Sequence, residues 1–175
     1  MTAAPLTLEA LAEAHAAGEI DTVVAAQVDM QGRLMGKRFH AAHFLESAHA
    51  GTHGCNYVLA TDMEMETVEG YAATSWAKGY GDYEMVPDLS TLRRAPWAEG
   101  TALVICDVTD HHGEAVAHAP RTMLRGQTAR LAARGWTALA ASELEFFLFR
   151  ESYEQAEAAG YAGLQTFSAY NEDYH

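Results

Sequence analysis

The chain has 175 residues, of which 49% are hydrophobic and 20% charged, and this composition is typical of a globular protein rather than a disordered one. Its formal net charge of −13, from 24 acidic and 11 basic residues, argues against nucleic acid as a partner, because an acidic surface repels the phosphate backbone. No apolar run is long enough to cross a membrane and no basic segment precedes one at the start, so we expect a soluble, cytoplasmic protein without a membrane partner.

The N-terminal part of the sequence predicts a helix, a β-hairpin and a second helix. Residues 7–17 predict a helix that Thr7 caps and a glycine ends. Residues 22–29 predict a strand, and residues 34–39 predict the returning strand after a turn that contains glycine. Residues 41–50 have the spacing of a short helix and are also followed by a glycine.

The middle of the sequence predicts one strand and a long loop. Residues 56–60 are typical of a strand, whereas residues 70–84 combine glycine, tyrosine and tryptophan without a regular period. Loops of that length inside a compact domain often have a function. The prolines within 86–89 and 95–97 predict further non-helical chain.

The last third of the sequence begins with a buried strand, predicted over residues 101–107, and a turn over residues 110–114. Residues 122–134 then predict a helix, with Pro120 near its start. A second apolar strand is predicted over residues 142–149.

Glu143 and Glu145 are the best candidates for chemistry. On a strand alternate side chains share a face, so the two carboxylates would project together, and they would repel each other unless a cation lay between them. Mg²⁺ or Mn²⁺ suits such a pair, because these ions prefer oxygen ligands. Taken alone, however, a Glu-x-Glu sequence is more typical of a solvated acidic strand face.

Other metal-ligand or nucleophile residue types are less promising. Cys55 and Cys106 lie far apart in the sequence, and we expect both to be small buried hydrophobes in a reducing compartment. The histidines between residues 40 and 53 include pairs at helical spacing but lack a third ligand, so we expect surface or packing roles for them.

Five short segments follow one another along the chain. They are Asp29–Arg38, Met85–Leu89, Ala95–Trp97 with Thr101–Val104, Ala119–Arg121, and Glu143–Leu148. None is specific by itself, but the ordered set resembles the N-terminal part of glutamine synthetase-like enzymes. The resemblance covers about residues 20–150.

This resemblance implies an α+β fold. Residues 1–19 would form an N-terminal helix, residues 20–115 a β-grasp domain, and residues 116–175 the beginning of the catalytic domain. Family members are much longer, and their remaining metal, nucleotide and glutamate ligands lie after the part that this sequence resembles. The 175-residue chain alone is therefore expected to be inactive.

The resemblance also implies a reaction. Glu143 and Glu145 would ligate the Mg²⁺ or Mn²⁺ ions that hold ATP and glutamate. ATP would phosphorylate the side-chain carboxylate of glutamate, and an amine would then attack the γ-glutamyl phosphate. In this family each active site needs two subunits, so a homo-oligomer is expected, typically a dodecamer.

In this family the loop before a Val-Pro-Asp turn, residues 86–88 in this chain, helps to form the amine pocket. Glutamine synthetases have an aspartate there that helps to bind and deprotonate ammonium, but the corresponding stretch in this chain, residues 67–71, lacks it. Glu69 could compensate, and Asp82 matches a second acidic position of the family. This departure favours a larger amine, such as a polyamine or ethanolamine, over ammonia.

Three other interpretations remain open at this point. The chain could belong to a true glutamine synthetase that uses ammonia. It could be a non-catalytic fragment or regulatory paralogue that keeps only the subunit interface. It could also be a β-grasp interaction module, in which Glu143 and Glu145 would be incidental.

Overall fold

The computed structural model describes residues 5–170 of the chain. It contains two compact units, one that ends at Thr137 and one that begins at Ala138. A mixed sheet with few helices gives the α+β fold that the sequence predicts.

The first helix, α1 (Leu8–Ala16), begins and ends where its local sequence predicts. Thr7 is the N-cap, and its hydroxyl oxygen accepts a hydrogen bond from the backbone N–H of Ala10 at 3.1 Å. Leu11 and Ala14 are the residues of α1 that are buried. The helix therefore contributes one apolar face to the core of the first unit.

A five-stranded sheet forms the body of the first unit. Its strands are β1 (Thr22–Val28), β2 (Leu34–His40), β3 (Thr52–Cys55), β4 (Asp82–Arg94) and β5 (Thr101–Thr109). The spatial order is β2-β1-β5-β4-β3, with β1 and β5 parallel and every other pair antiparallel. The predicted hairpin of β1 and β2 and the predicted strand β5 are confirmed.

The second predicted helix is present, but only its first turn is α-helical. This turn, α2 (Ala41–His43), continues directly as a π-helical turn over Phe44–Ala48. Ala41 and Phe44 are fully buried and join the core that α1 and the sheet enclose. The wider turn still places apolar residues on the core side.

The predicted strand at residues 56–60 is wrong. Strand β3 ends at Cys55, and Asn56–Leu59 form a 3₁₀ helix instead. The N–H of Asn56 donates to the carbonyl of Gly81 at 2.9 Å, beyond the last residue pair of β3 and β4. The chain then turns inward and buries Leu59, so the apolar composition reflects burial rather than a strand.

The predicted loop at residues 70–84 is correct except at its end, since β4 already begins at Asp82. Strand β4 also contains Pro87, which lies opposite Cys106 of β5. The register between these two strands shifts between Asp88 and Arg93, after the residue pair that contains the proline.

The helix α3 (Pro120–Ala132) has proline at its first turn and is followed by Gly135 at φ +74°. It confirms the helix predicted over residues 122–134. None of its side chains is buried, however, and Leu124 is 65% exposed. Apolar burial by its side chains therefore makes little of the contact with the sheet.

The second unit contains the short helix α4 (Tyr153–Ala158) and a local antiparallel pairing. Ser152 and Gln155 form a reciprocal capping box at the start of α4. Phe149 pairs with Thr166, and the N–H of Phe167 donates to the carbonyl of Leu148 at 2.8 Å.

The predicted strand at residues 142–149 is wrong for all but its last residue. Residues 136–148 form neither helix nor strand, and Phe149 alone takes part in a bridge. A strand is defined by hydrogen bonds to a neighbouring strand, and within residues 5–170 such bonds reach only this end of the segment.

Among residues 5–170, no helix has the length and apolarity needed to cross a membrane.

Candidate functional site

Glu143 and Glu145 lie in the irregular segment that precedes the pairing in the second unit. Both side chains are exposed, and neither makes a hydrogen bond or ion pair with another residue in the described part of the chain. The intervening Leu144 is 86% exposed and Phe146 is 76% exposed. The expected division into an acidic face and a buried apolar face is therefore not seen here.

The carboxylates of Glu143 and Glu145 fit a hard divalent cation by the chemistry of their donor atoms. Both groups keep their oxygen lone pairs free of protein donors among the described residues, and Mg²⁺ and Mn²⁺ prefer such ligands. No group of three His, Cys, Asp or Glu side chains within residues 5–170 is arranged to hold a metal. These two glutamates could thus provide only part of a coordination sphere.

The candidate amine loop connects the 3₁₀ helix to β4 and spans residues 60–81. Its first part is a tight hairpin, in which Thr61 pairs with Thr67 and the N–H of Val68 donates to the carbonyl of Ala60 at 2.8 Å. The side chain of Asp62 accepts hydrogen bonds from two backbone N–H groups inside this hairpin, both at 3.0 Å. This hairpin, residues 60–68, is the base of the loop, and the rest of the loop follows it.

The turn between β1 and β2 holds the base of this loop. Arg33 forms an ion pair with the fully buried Asp29, with Nε 2.7 Å from Oδ2. The guanidinium group also donates to the carbonyls of Asp62 and Met63, at 2.9 and 2.8 Å. The sequence motif that begins at Asp29 thus has a structural partner 30 residues away.

The second part of the loop is fixed by other contacts. Thr74 is buried, and its hydroxyl donates to the side-chain oxygen of Asn56 at 2.8 Å. The indole N–H of Trp76 donates to the hydroxyl of Thr67 at 3.2 Å, although the ring is 71% exposed. Trp76 also meets Tyr80 edge to face, with ring centroids 5.1 Å apart.

Glu69 and Asp82 are both exposed, Glu69 within this loop and Asp82 directly after its last residue. Glu69 lies two residues after Thr67, just before Gly70, which has φ of +98°. Asp82 is the first residue of β4 and lies opposite Cys55. Among the described residues neither carboxylate forms a hydrogen bond or an ion pair with another residue, so both remain available to a ligand.

A network of four charges attaches α3 to the sheet, and it was not predicted from the sequence. Arg121 forms ion pairs with Asp88 of β4 and with Asp107 of β5, the latter at 2.7 Å. Arg125, one helical turn later, binds the same two carboxylates, both at 2.8 Å. Asp88 and Arg121 each belong to a proline-containing motif of the resemblance, and these motifs are the signal in the sequence that could have pointed to the network.

Burial changes the acid–base properties of three groups near these elements. Burial raises the pKa of Cys106 to about 12, with the negative charge of Asp107 as a second cause, so this thiol is inert as a nucleophile. Burial also raises the pKa of Tyr83 and lowers the pKa of His118. The Tyr83 hydroxyl and His118 Nε2 lie 3.3 Å apart beside the first residues of β4.

Cys106 is thus the buried small hydrophobe that its sequence context predicts, whereas Cys55 is only partly buried.

Comparison with known proteins finds one matching family and several similar enzymes. Residues 117–173 match the glutamine synthetase catalytic-domain family. Over 171 residues the chain is 53% identical to a gamma-glutamylethanolamide synthetase of Streptomyces coelicolor, a match that covers 97% of this chain and 37% of the relative. It is 37% identical over 140 residues to a glutamate–isopropylamine ligase of a Pseudomonas species, covering 79% of this chain and 30% of the relative.

A solved structure of a glutamine synthase homologue has a related fold. It superposes with a TM-score of 0.56 at 18% sequence identity, covering 81% of this chain and 35% of the other. The chain spans about a third of the length of these relatives. The two sequence relatives, the matched catalytic-domain family and the shared fold all agree, and the chain is therefore glutamine synthetase-like.

Proposed function

We propose that the full-length protein is an ATP-dependent ligase that joins glutamate to an amine and forms a γ-glutamyl amide. The observation that carries this proposal is the 53% identity to an enzyme named for such a product. That match extends over 97% of the chain, so it includes the loop that contains Glu69 and the segment that contains Glu143 and Glu145. A second relative is named as a glutamate–amine ligase as well.

The proposed domain division follows the same comparison. Residues 20–115 would be the β-grasp domain, and the mixed sheet with a parallel central pair supports this assignment. Residues 116–175 would begin the catalytic domain, which is supported by the family match that starts at residue 117. Residues 1–19 would be the N-terminal helical segment, of which α1 is the described helix.

Glu143 and Glu145 would hold Mg²⁺ or Mn²⁺ together with ATP. When bound, the metal would neutralise the charge of the phosphates and of the transferring phosphoryl group. The two glutamates suit this role because their carboxylates are exposed and unpaired among the described residues. Their negative charge would help to hold the ion.

The loop acids would act on the amine. The amine arrives as an ammonium cation and must lose a proton before its nitrogen can attack the γ-glutamyl phosphate. Glu69 and Asp82 are exposed carboxylates that could attract the cation and accept that proton. The new C–N bond then replaces the C–O bond to phosphate, and inorganic phosphate leaves.

We further propose an organic amine, such as ethanolamine or a polyamine, rather than ammonia. The loop lacks one of the acidic residues that ammonia-using enzymes are expected to have, and it presents the exposed ring of Trp76. Aromatic rings bind the alkyl part of an organic cation and are attracted to its charge. Residues 60–82 contain five acidic residues and one basic residue, which also favours a cationic substrate.

Phosphate release from ATP and glutamate, measured with the full-length protein and different amines, tests this function. Ammonium, methylamine, isopropylamine, ethanolamine, putrescine and spermine would be compared at equal concentration. We expect release to depend on an organic amine, and mass spectrometry should detect the matching γ-glutamyl amide. Activity with ammonium alone would overturn the amine preference, and no amine-dependent release would overturn the ligase assignment.

Assembly into a homo-oligomer also remains a proposal, because only one chain is described. Light scattering of the full-length protein would measure its mass in solution. A monomer that is fully active would contradict an active site shared between subunits.

A further inference from the structure

We propose that Arg33 is a positioning residue for the amine loop. It would hold the base of the loop in the conformation that presents Glu69 and Trp76 to the amine. This inference rests on the proposed amine ligase function. The contacts of the turn between β1 and β2 support it.

The anchor of this arrangement is Asp29, whose side chain is completely buried. Its carboxylate accepts hydrogen bonds from the N–H groups of Gln31 and Arg33, at 3.0 and 2.8 Å. It also accepts the Nε–H of Arg33 at 2.7 Å. A buried charge with three donors is fixed in place, so the guanidinium group that pairs with it is fixed as well.

The outer edge of that guanidinium group binds the loop. Nη1 donates to the carbonyl of Met63 at 2.8 Å, and Nη2 donates to the carbonyl of Asp62 at 2.9 Å. The side-chain amide of Gln31 donates to the carbonyl of Thr61 at 2.8 Å. Two side chains of one turn therefore hold three consecutive backbone carbonyls of the loop.

These three carbonyls belong to the first part of the hairpin that begins the loop, so their position affects the residues that follow. Thr61 pairs with Thr67, which also accepts the indole N–H of Trp76. Glu69 follows two residues later in the chain. A shift at residues 61–63 would thus be transmitted to both the acidic and the aromatic residue that the proposed function uses.

Arginine is needed at this position because of its shape. Its planar fork can bind the Asp29 carboxylate on one side and two carbonyls on the other at the same time. Lysine would keep the positive charge beside Asp29, but it lacks the fork that reaches both loop carbonyls. Replacement by lysine therefore removes the hydrogen bonds to the loop but keeps a positive charge beside the buried carboxylate of Asp29.

The kinetic test compares Arg33→Lys with Arg38→Lys in the full-length protein. Arg38 lies on β2 in the same hairpin and has no side-chain hydrogen bond or ion pair within the described residues, which makes it a matched control. We expect Arg33→Lys to raise the KM for the amine about tenfold, since two hydrogen bonds from a charged donor are lost. The KM values for ATP and glutamate should stay at the wild-type level.

An unchanged amine KM, or an equal rise in all three KM values, would overturn the positioning role. Wild-type protein without ligase activity on any amine would instead overturn the proposed function. A second measurement, which does not depend on activity, decides whether Arg33 holds the loop.

Cleavage by a lysine-specific protease supplies that measurement. Residues 1–175 contain two lysines, Lys37 in β2 and Lys78 in the amine loop, so the cleavage products can be assigned by mass. Each variant adds one lysine, at position 33 or directly after Lys37, and its new product is distinguishable by mass from the product of cleavage at Lys78. We expect cleavage at Lys78 of the full-length protein to be several-fold faster in Arg33→Lys than in Arg38→Lys, because local opening exposes the loop. Equal cleavage at Lys78 in both variants, including none in either, would contradict the proposal.

Discussion

At the scale of single residues, Gly36 shows how closely two strands approach each other. It lies in β2 opposite Ala26 of β1. A Cβ atom added at this position would lie 2.0 Å from the carbonyl oxygen of Ala25. The obstacle is backbone at the centre of a hairpin and cannot rotate away, so only glycine fits.

Gly36→Ala should therefore lower the free energy of unfolding by about 2 to 3 kcal/mol, as expected for overpacking against a rigid neighbour. Gly126→Ala in α3 is the control, because a Cβ there meets nothing within 4 Å. This control should raise stability by roughly 0.5 to 1 kcal/mol, since alanine favours a helix interior over glycine. Urea denaturation of both variants measures the difference, and equal stability of the two would refute the close approach.

At the scale of elements, electrostatics rather than burial attaches α3 to the sheet. The helix buries none of its residues, yet Arg121 and Arg125 bind Asp88 and Asp107 from two neighbouring strands. Both aspartates and Arg121 are less than a third exposed, so solvent screens these pairs only partly. The network should therefore contribute more than ordinary surface ion pairs do.

Arg121→Met should destabilise the first unit by roughly 1 to 2 kcal/mol, because the carboxylates of Asp88 and Asp107 would each lose one of their two arginine partners. Arg130→Met is the matched control, since Arg130 is exposed on the same helix and its described contact is with Gln127. Chemical denaturation at neutral pH would measure both. An equal effect of the two substitutions would show that the network does not stabilise the fold.

The same network predicts a loss of stability in acid. A hydrogen bond from the Ser90 hydroxyl, helped by its N–H and by the charges of Arg121 and Arg125, holds the pKa of Asp88 below its ordinary value of 3.8. A lowered carboxyl pKa contributes stability above the unfolded pKa, and this is lost as the pH falls through the folded value. The free energy of unfolding should thus fall below about pH 4, and less steeply in Arg121→Met. Parallel pH profiles of the two proteins would contradict this origin.

At the scale of the whole molecule, the two units differ in what they bury. The first unit encloses its core between α1, α2 and one face of the sheet. The segment before the pairing in the second unit instead exposes a run of large apolar side chains among the described residues. They are Leu139, Leu144, Phe146, Phe147 and Leu148. Because such runs mark contact surfaces, we expect this segment to be covered in the full-length protein.

Glu145→Ala should reduce turnover of the full-length enzyme by more than about 100-fold, because a metal ligand would be lost. Its melting temperature should hardly change, since the side chain is exposed and makes no hydrogen bond among the described residues. Glu157→Ala, on the exposed side of α4, is the control and should keep full activity. Unchanged kinetics in Glu145→Ala would remove the metal assignment.

The sequence by itself determined the elements whose signals are local. Thr7 caps α1, and Gly18 follows it at φ +73°. Gly32 has the positive φ that the turn between β1 and β2 requires. Pro120 begins α3 as predicted. In each case the decisive residues lie within a few positions of the element that they start or end.

The ordered motifs of the sequence indicate the candidate site by resemblance to a family. Glu143 and Glu145, like Glu69 and Asp82, were selected by resemblance, and their roles stay predictions. What the structure adds is their surroundings, above all the support that the Asp29–Arg33 pair gives to the amine loop. That support joins residues 30 positions apart, which a local pattern does not reveal.

Only the tertiary structure decided which partners distant residues have. Residues 56–59 form a 3₁₀ helix and residues 142–148 form no strand, because apolar composition specifies burial but not a hydrogen-bonding neighbour. The bonds between Asp88 and Arg121 likewise appear only when α3 lies beside β4 and β5. The physical reason is the same throughout. The hydrogen bonds of caps and turns form between residues a few positions apart, whereas sheet pairing and these ion pairs need residues that are distant in the sequence to come together.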